Sequence, residues 1–261
     1  MDLTRSYRNE VPKDILDRYS WAEVRNAAQI LKATNPGQFA EILDVLSSFQ
    51  LYASDLINPG GSKSALAKRL DEAFRVKGWR EARVDTEVEL VLHISPYRAV
   101  GEKKTEITRS KVINEGYKVD NFLGRIALDV EWTPKDGNLD RDLSAYRALY
   151  EQGLIDGAVL ITRTQEDLKE LGQRFRLAVG FSEEDAKKVL ATSTTANYDK
   201  LLPRMTRGDA GGCPLLMVAI NKNTWDGTEP EKPAVLPEIS DEPEDYDPDG
   251  LLEEPVETDT P

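Results

Sequence analysis

The chain has 261 residues, with 47 acidic and 34 basic side chains, one histidine and one cysteine. It contains no apolar run of about 18 residues, the length a membrane-spanning helix needs. The lone Cys213 excludes an internal disulfide, and with the lone His93 it excludes a His/Cys zinc centre within one chain.

The same scarcity argues against a Ser-His-Asp triad. Met1-Asp2-Leu3-Thr4-Arg5 has no apolar core behind it, so no signal peptide is expected. A reducing, cytoplasmic setting fits these absences. The formal net charge of −13 is unevenly spread: 14 of the acids but only one base, Lys232, lie from Asp226 to Pro261. The preceding 225 residues keep 33 acids and 33 bases. A neutral body can still present a basic cleft around an acidic site.

The spacing of Leu16, Tyr19, Val24, Ala27, Ala28 and Leu31 predicts a helix over 13–33, broken at Asn35-Pro36-Gly37. A second helix is expected to about Leu56, with Phe39, Ile42, Leu43, Leu46, Phe49 and Ala53 on its stripe. A third starts near Ser62, a cap after Gly60-Gly61, and ends at Gly78-Trp79. Lys63, Lys68, Arg69, Arg75 and Lys77 line this helix as a solvated face or a phosphate- or dimer-facing one. Val88–Ile94 reads as a strand closed by Pro96, with His93 an ordinary strand residue. A second strand spans 124–133. A helix follows over 140–152, stopped at Gly153. Ala158–Ile161 reads as a buried strand. Helices are expected at 165–172, 182–190 and 196–205, and a last core strand over Leu215–Ile220, with Cys213 buried before Pro214. Strands alternating with helices give an α/β class with a mixed central sheet flanked by helices. From Pro230 to Pro261 lie seven of the 14 prolines among most of the surplus acids. That composition buries too little apolar surface to offset chain entropy, so a disordered tail is expected. It reads as a solubilising segment, a DNA mimic competing for the basic cleft, or a partner-binding tail.

The chemistry concentrates at Asp120, Asp129 and Glu131. Residues two apart on a strand point to one face, so Asp129 and Glu131 project together. A turn at Leu123-Gly124 can fold Asp120 back beside them. Such acids repel, and burying one unpaired is costly. A hard divalent cation with oxygen ligands relieves both problems. The plainer reading is a structural ion-pair cluster with Arg125 and Arg163.

This stretch resembles the restriction endonucleases of the BglII, BstYI and BamHI type, within the PD-(D/E)XK nuclease fold. Asp120 matches the family's first acid, Asp129 its second, and Glu131 the position that is lysine in other branches. Asp129 departs from the more usual Glu by one methylene. The likeness extends through Lys135–Leu143, Gly157–Arg163, Thr194–Leu201 and Gly211–Leu215, covering roughly 58–221. The resemblance implies a restriction-endonuclease-like catalytic domain over 58–225, which leaves the helical N-terminal segment over 1–57 and the acidic tail over 226–261 as read from their own composition and periodicity. It implies a type II enzyme, a homodimer on double-stranded DNA that leaves 5′-phosphate ends, at a palindrome containing GATC. Asp120 and Asp129 would hold Mg2+, and Glu131 would hold or deprotonate the attacking water. A cognate DNA methyltransferase is the implied functional partner.

Lys135, Asn138 and Arg141 follow the catalytic strand and suit phosphates or the site rim; the alternative is a solvated loop and a helix start carrying Asp140. Thr194, Thr195, Asn197, Lys200, Arg204 and Arg207 suit base edges and phosphates; the alternative is a helix cap and ordinary loop. Glu72 is a helix residue that would complete the metal site. The rival functions are a repair or structure-selective nuclease on the same fold and a non-catalytic DNA-binding protein.

Overall fold

The computed structural model describes residues 1–58, 64–233 and 235–237. A seven-stranded sheet runs through it in the order β1-β2-β7-β6-β5-β4-β3. These are β1 (Leu3–Thr4), β2 (Tyr19–Val24), β3 (Arg80–Ile94), β4 (Glu106–Leu123), β5 (Ile126–Val130), β6 (Gly157–Arg163) and β7 (Leu215–Ile220). The inner trio β5, β6 and β7 is parallel, and every other pairing is antiparallel. The sheet is therefore mixed, as the alternation of elements predicts.

Every residue of β5, β6 and β7 is buried. Their runs of Val, Ile, Leu and Ala suit strands covered on both faces. Each such large aliphatic side chain contributes about 1.5–3 kcal/mol by leaving water. One face packs against α3 (Ala27–Thr34), α4 (Pro36–Ser48), α5 (Ala53–Ile57), α6 (Ala65–Val76) and α8 (Glu166–Val179), through residues such as Leu31, Ile42, Leu56, Phe74 and Phe175. The other face packs against α7 (Gly137–Glu151) and α10 (Tyr198–Arg207), through Leu143, Tyr146, Leu201 and Met205. Short helices α1 (Tyr7–Glu10), α2 (Lys13–Leu16) and α9 (Glu183–Lys187) complete the chain.

The helix expected over 13–33 is corrected. It divides into α2, β2 and α3. Tyr19 and Trp21 pack into one core while Ala22 and Val24 pack into the other, a two-residue alternation hidden under an approximate helical stripe. Pairing with β7, from Tyr19↔Ile220 to Val24↔Leu215, holds the extended form. Arg25 and Asn26, both at left-handed φ, then turn the chain into α3. The buried Glu23 carboxylate accepts from the Ala28 N–H at 2.9 Å, near the start of α3. The N-terminal 57 residues thus supply helices and also two strands of the sheet. The second expected helix breaks after Ser48, where Phe49 is extended and Leu51 bridges to Trp225.

The cap expected at Ser62, and Lys63, lie outside the described residues. Ser64 caps α6 instead, accepting from the Ala67 N–H at 3.1 Å. The short strand expected at 88–94 is part of a much longer ribbon, because β3 and β4 pair from Arg80↔Phe122 out to Ile94↔Glu106. Beyond Thr86 both ribbon faces are exposed. Val88, Leu90, Leu92 and Val112 share one face. The reverse face carries the pairs Lys111–Glu87 at 2.5 Å and Arg109–Glu89 at 3.0 Å. A bulge at Val84/Thr86 marks the ribbon's root. A Cβ on Gly116 there would lie 1.3 Å from the Val84 carbonyl oxygen, so only glycine fits.

The first residues of the expected tail are docked. Asp226 donates its N–H to the Leu51 carbonyl at 3.1 Å, and Glu229 pairs with Arg174 at 3.0 Å. Arg174 in turn lies 4.9 Å over the Trp225 ring. The expectation of disorder for 238–261 lies outside the described residues.

Candidate active site

The centre is built by a two-residue hairpin. Leu123 pairs with Ile126, and Gly124 takes φ 61° in the turn between them. A side chain there would be strained and would meet Gln38 Nε2 at 2.9 Å. The turn sets the register Asn121↔Leu128, which makes Asp120 and Asp129 the next opposing pair. The Asp120 N–H donates to Asp129 Oδ1 at 2.8 Å. The fold-back expected from the sequence is therefore present.

Asp120 is exposed, whereas Asp129 and Glu131 are buried. Asp129 follows Ala127 onto the face packed by α7. There the Tyr146 hydroxyl donates to Asp129 Oδ2 at 2.6 Å. Asp142, one turn before Tyr146, is buried beside Glu131, close enough for the two carboxyls to share a proton. Arg141 Nη2 approaches Asp142 Oδ1 at 3.0 Å, while Asp142 Oδ2 is buried with no N–H or hydroxyl donor.

Burial pushes Asp129 well above the usual carboxylate range, and the charges of Asp120 and Asp142 add to this. Burial likewise raises Glu131, reinforced by Asp142, Asp129 and Asp120. Asp142 is raised by burial, with its hydrogen bond to Glu131 and then Arg141 partly offsetting it. Desolvation and mutual repulsion both oppose ionisation here. A cation would reverse that balance.

The ion-pair alternative named Arg125 and Arg163. Arg125 instead binds Asp156 at 2.9 Å. Arg163 is wholly buried and donates to the Trp132 carbonyl and the Thr195 hydroxyl, both at 2.9 Å, and to Gln165. Its burial lowers its pKa to about 10. Neither arginine neutralises the acids.

The donor set fits a hard cation. It is all oxygen, and one buried carboxylate oxygen, Asp142 Oδ2, accepts from no N–H or hydroxyl group. Among the described residues no three acids converge on a common point as the chain stands. Glu72 is exposed on α6, which packs the opposite face from Asp129, and it joins no part of the cluster. The helix that closes the site is α7.

The two flanking motifs come together. Lys135 and Thr195 form an antiparallel bridge, the Asp136 N–H donates to the Thr194 carbonyl at 2.6 Å, and the Ala196 N–H to the Pro134 carbonyl at 2.8 Å. Lys200 then reaches Asp136 at 2.9 Å, and Arg204 reaches Asp140 at 2.7 Å. Lys135, Thr194 and Arg207 are exposed, and Asn138, Arg141, Lys200 and Arg204 are half-buried. Arg207 pairs with Asp209 at 2.5 Å. Thr195 and Asn197 are buried and structurally engaged, Thr195 on Arg163 and Asn197 as the cap of α10, accepting from the Lys200 N–H at 3.1 Å. Asp140 sits in the first turn of α7, as its alternative reading expects.

Sequence reasoning missed the contacts that Asp142 makes with Glu131 and Tyr146 with Asp129. Their four-residue spacing on an amphipathic helix, with an acid on the core-facing side, is the signal that points to them.

The mixed sheet thus carries two acids face to face across β4 and β5. The family model described as restriction endonuclease BglII/BglIII matches residues 19–220, from the first residue of β2 to the last of β7. The chain belongs to that family of restriction endonucleases, and it is a type II site-specific deoxyribonuclease. No curated protein matches it.

Proposed function

We propose that the chain cuts double-stranded DNA as a Mg2+-dependent homodimer, with Asp120 and Asp129 holding the ion and Glu131 serving the attacking water. The observation that carries this reading is the Asp120–Asp129 pair, locked across β4 and β5 by the 2.8 Å backbone bond. A bound Mg2+ would supply a lowered water pKa and offset the charge that develops on the scissile phosphate. The Asp129 carboxylate stays oriented because both its oxygens accept bonds from the protein. Glu131 accepts the proton of the attacking water, as a carboxylate two residues along from Asp129. A carboxylate at that position cannot neutralise phosphate, so that charge would have to be met by the ion that Asp120 and Asp129 would hold.

Lys135, Asn138, Arg141, Thr194, Lys200, Arg204 and Arg207 form the DNA-facing rim. Lys200 and Arg204 exchange acidic partners for phosphates when the duplex arrives. Thr195 and Asn197 act from behind by shaping the rim. A two-fold dimer on a palindrome explains paired cuts by two copies of one centre. By family likeness the products carry 5′-phosphates, the site contains GATC, and a cognate methyltransferase protects the host's DNA in the cytoplasm.

Sequencing the ends produced from a defined plasmid, with Mg2+ and then with EDTA, tests this. Discrete 5′-phosphorylated ends at one palindrome, absent in EDTA, are expected. Random ends, or cutting in EDTA, would refute it.

A further inference from the structure

We propose that helix α7 belongs to the active centre through two residues one turn apart: Asp142 as a fourth carboxylate lining the cation site, and Tyr146 as the positioning residue that fixes Asp129. The inference rests on the metal reading above.

Asp142 is 3% exposed and Tyr146 is fully buried. Spaced four apart, they present one face of α7 to the strand carrying Asp129 and Glu131. Tyr146 holds Asp129 Oδ2 at 2.6 Å while the β4 backbone holds Oδ1 at 2.8 Å. The carboxylate plane is thereby set from two independent elements. That matters here because aspartate is one methylene shorter than the glutamate more usual at this position. A short side chain cannot swing to find its ligand, so its orientation has to be built in.

Asp142 is asymmetric. One oxygen accepts from Arg141, while the other is buried with no N–H or hydroxyl donor, and the Glu131 carboxyl is the neighbour of this group. A buried carboxyl oxygen without such a donor is costly, and an apolar residue would avoid that cost. The cost is offset if a cation completes that oxygen's shell.

The test uses the full chain and Mn2+ alone, followed by calorimetry without DNA, with Tm and Ca2+-supported DNA affinity measured in parallel. Asp142→Asn is expected to weaken Mn2+ binding tenfold or more, with DNA affinity within twofold and Tm unchanged or raised. Tyr146→Phe is expected to raise half-saturating Mn2+ several-fold and to lower kcat tenfold or more at saturating metal, with KM for DNA unchanged. Wild-type Mn2+ affinity in both variants would overturn the proposal and leave Asp142 and Glu131 a proton-sharing pair. Asp120→Asn separates the two levels of argument. If it loses Mn2+ while Asp142→Asn keeps it, only this inference fails; if it too binds Mn2+ normally, the metal reading fails with it.

Discussion

Asp120 and Asp129 face each other across adjacent antiparallel strands, the backbone N–H of the first donating to the carboxylate of the second at 2.8 Å. Neither residue can move without the other's strand. Replacing Asp129 by Asn keeps the shape and removes the charge. Cleavage should fall by about 10³-fold or more, equivalent to roughly 4 kcal/mol of barrier, while Ca2+-supported DNA binding persists. Single-turnover cleavage and filter binding check this, and retained cleavage would contradict the assignment.

Protonation of the acid cluster gives stability a pH signature. Asp129, Glu131 and Asp142 are all raised by burial, so the folded chain holds protons that the unfolded chain releases. Their contribution is full below the unfolded carboxylate range of about 4 and is lost as pH rises through the folded values. In EDTA, Tm should fall as pH rises through that window. Glu131→Gln should raise Tm at pH 8, by about 2–4 °C for each 1 kcal/mol recovered, and leave it unchanged at pH 4. Calorimetric scans at the two pH values decide it.

Arg163 ties the strand end at Trp132 to the Thr195 loop. Arg163→Met leaves a buried carbonyl and a hydroxyl without their donor, at about 1–3 kcal/mol each. Denaturant titration should show that loss. Arg163→Lys should recover only part of it, since one ammonium cannot span both acceptors.

Rim cations should act through salt. Lys135→Ala and Arg207→Ala should each lower the slope of log affinity against log salt by about 1, without changing the preferred site. Arg69 belongs to a different category. Its 2.7 Å bond to buried Asp55 makes it structural, so Arg69→Ala should cost stability and leave the slope intact.

Gly116 anchors the ribbon root. Gly116→Ala should open the β3–β4 ladder, because its methyl group would overlap the Val84 carbonyl oxygen. Faster trypsin cleavage at Arg109 and Lys111 is the readout, with core packing retained by tryptophan fluorescence.

Much of the core was legible because burial leaves a period. Ala158–Ile161 and Leu215–Ile220 are continuous apolar runs, and the turn at Gly124 sets Asp120 opposite Asp129 as their spacing implies. The strand at Tyr19–Val24 was misread because a two-residue alternation across both cores overlaps a helical stripe. The ribbon escaped for the opposite reason. Both its faces are exposed, so Glu106–Glu115 shows no burial pattern to read. At the centre, the strand acids stood out from their apolar neighbours. Asp142 did not, because a helix with several acids resembles any solvated one until its inward face is known.

The docked start of the acidic segment bears on how its role can be dissected. Cutting the gene after Trp225 would remove Asp226 and Glu229 along with the charged remainder, releasing Leu51 and Arg174 from their partners. A shortened enzyme made that way would blend a scaffold defect with any relief of competition at the cleft. Ending the polypeptide after Pro237 spares those anchors, and only that version can report whether the distal acids keep nucleic acid away.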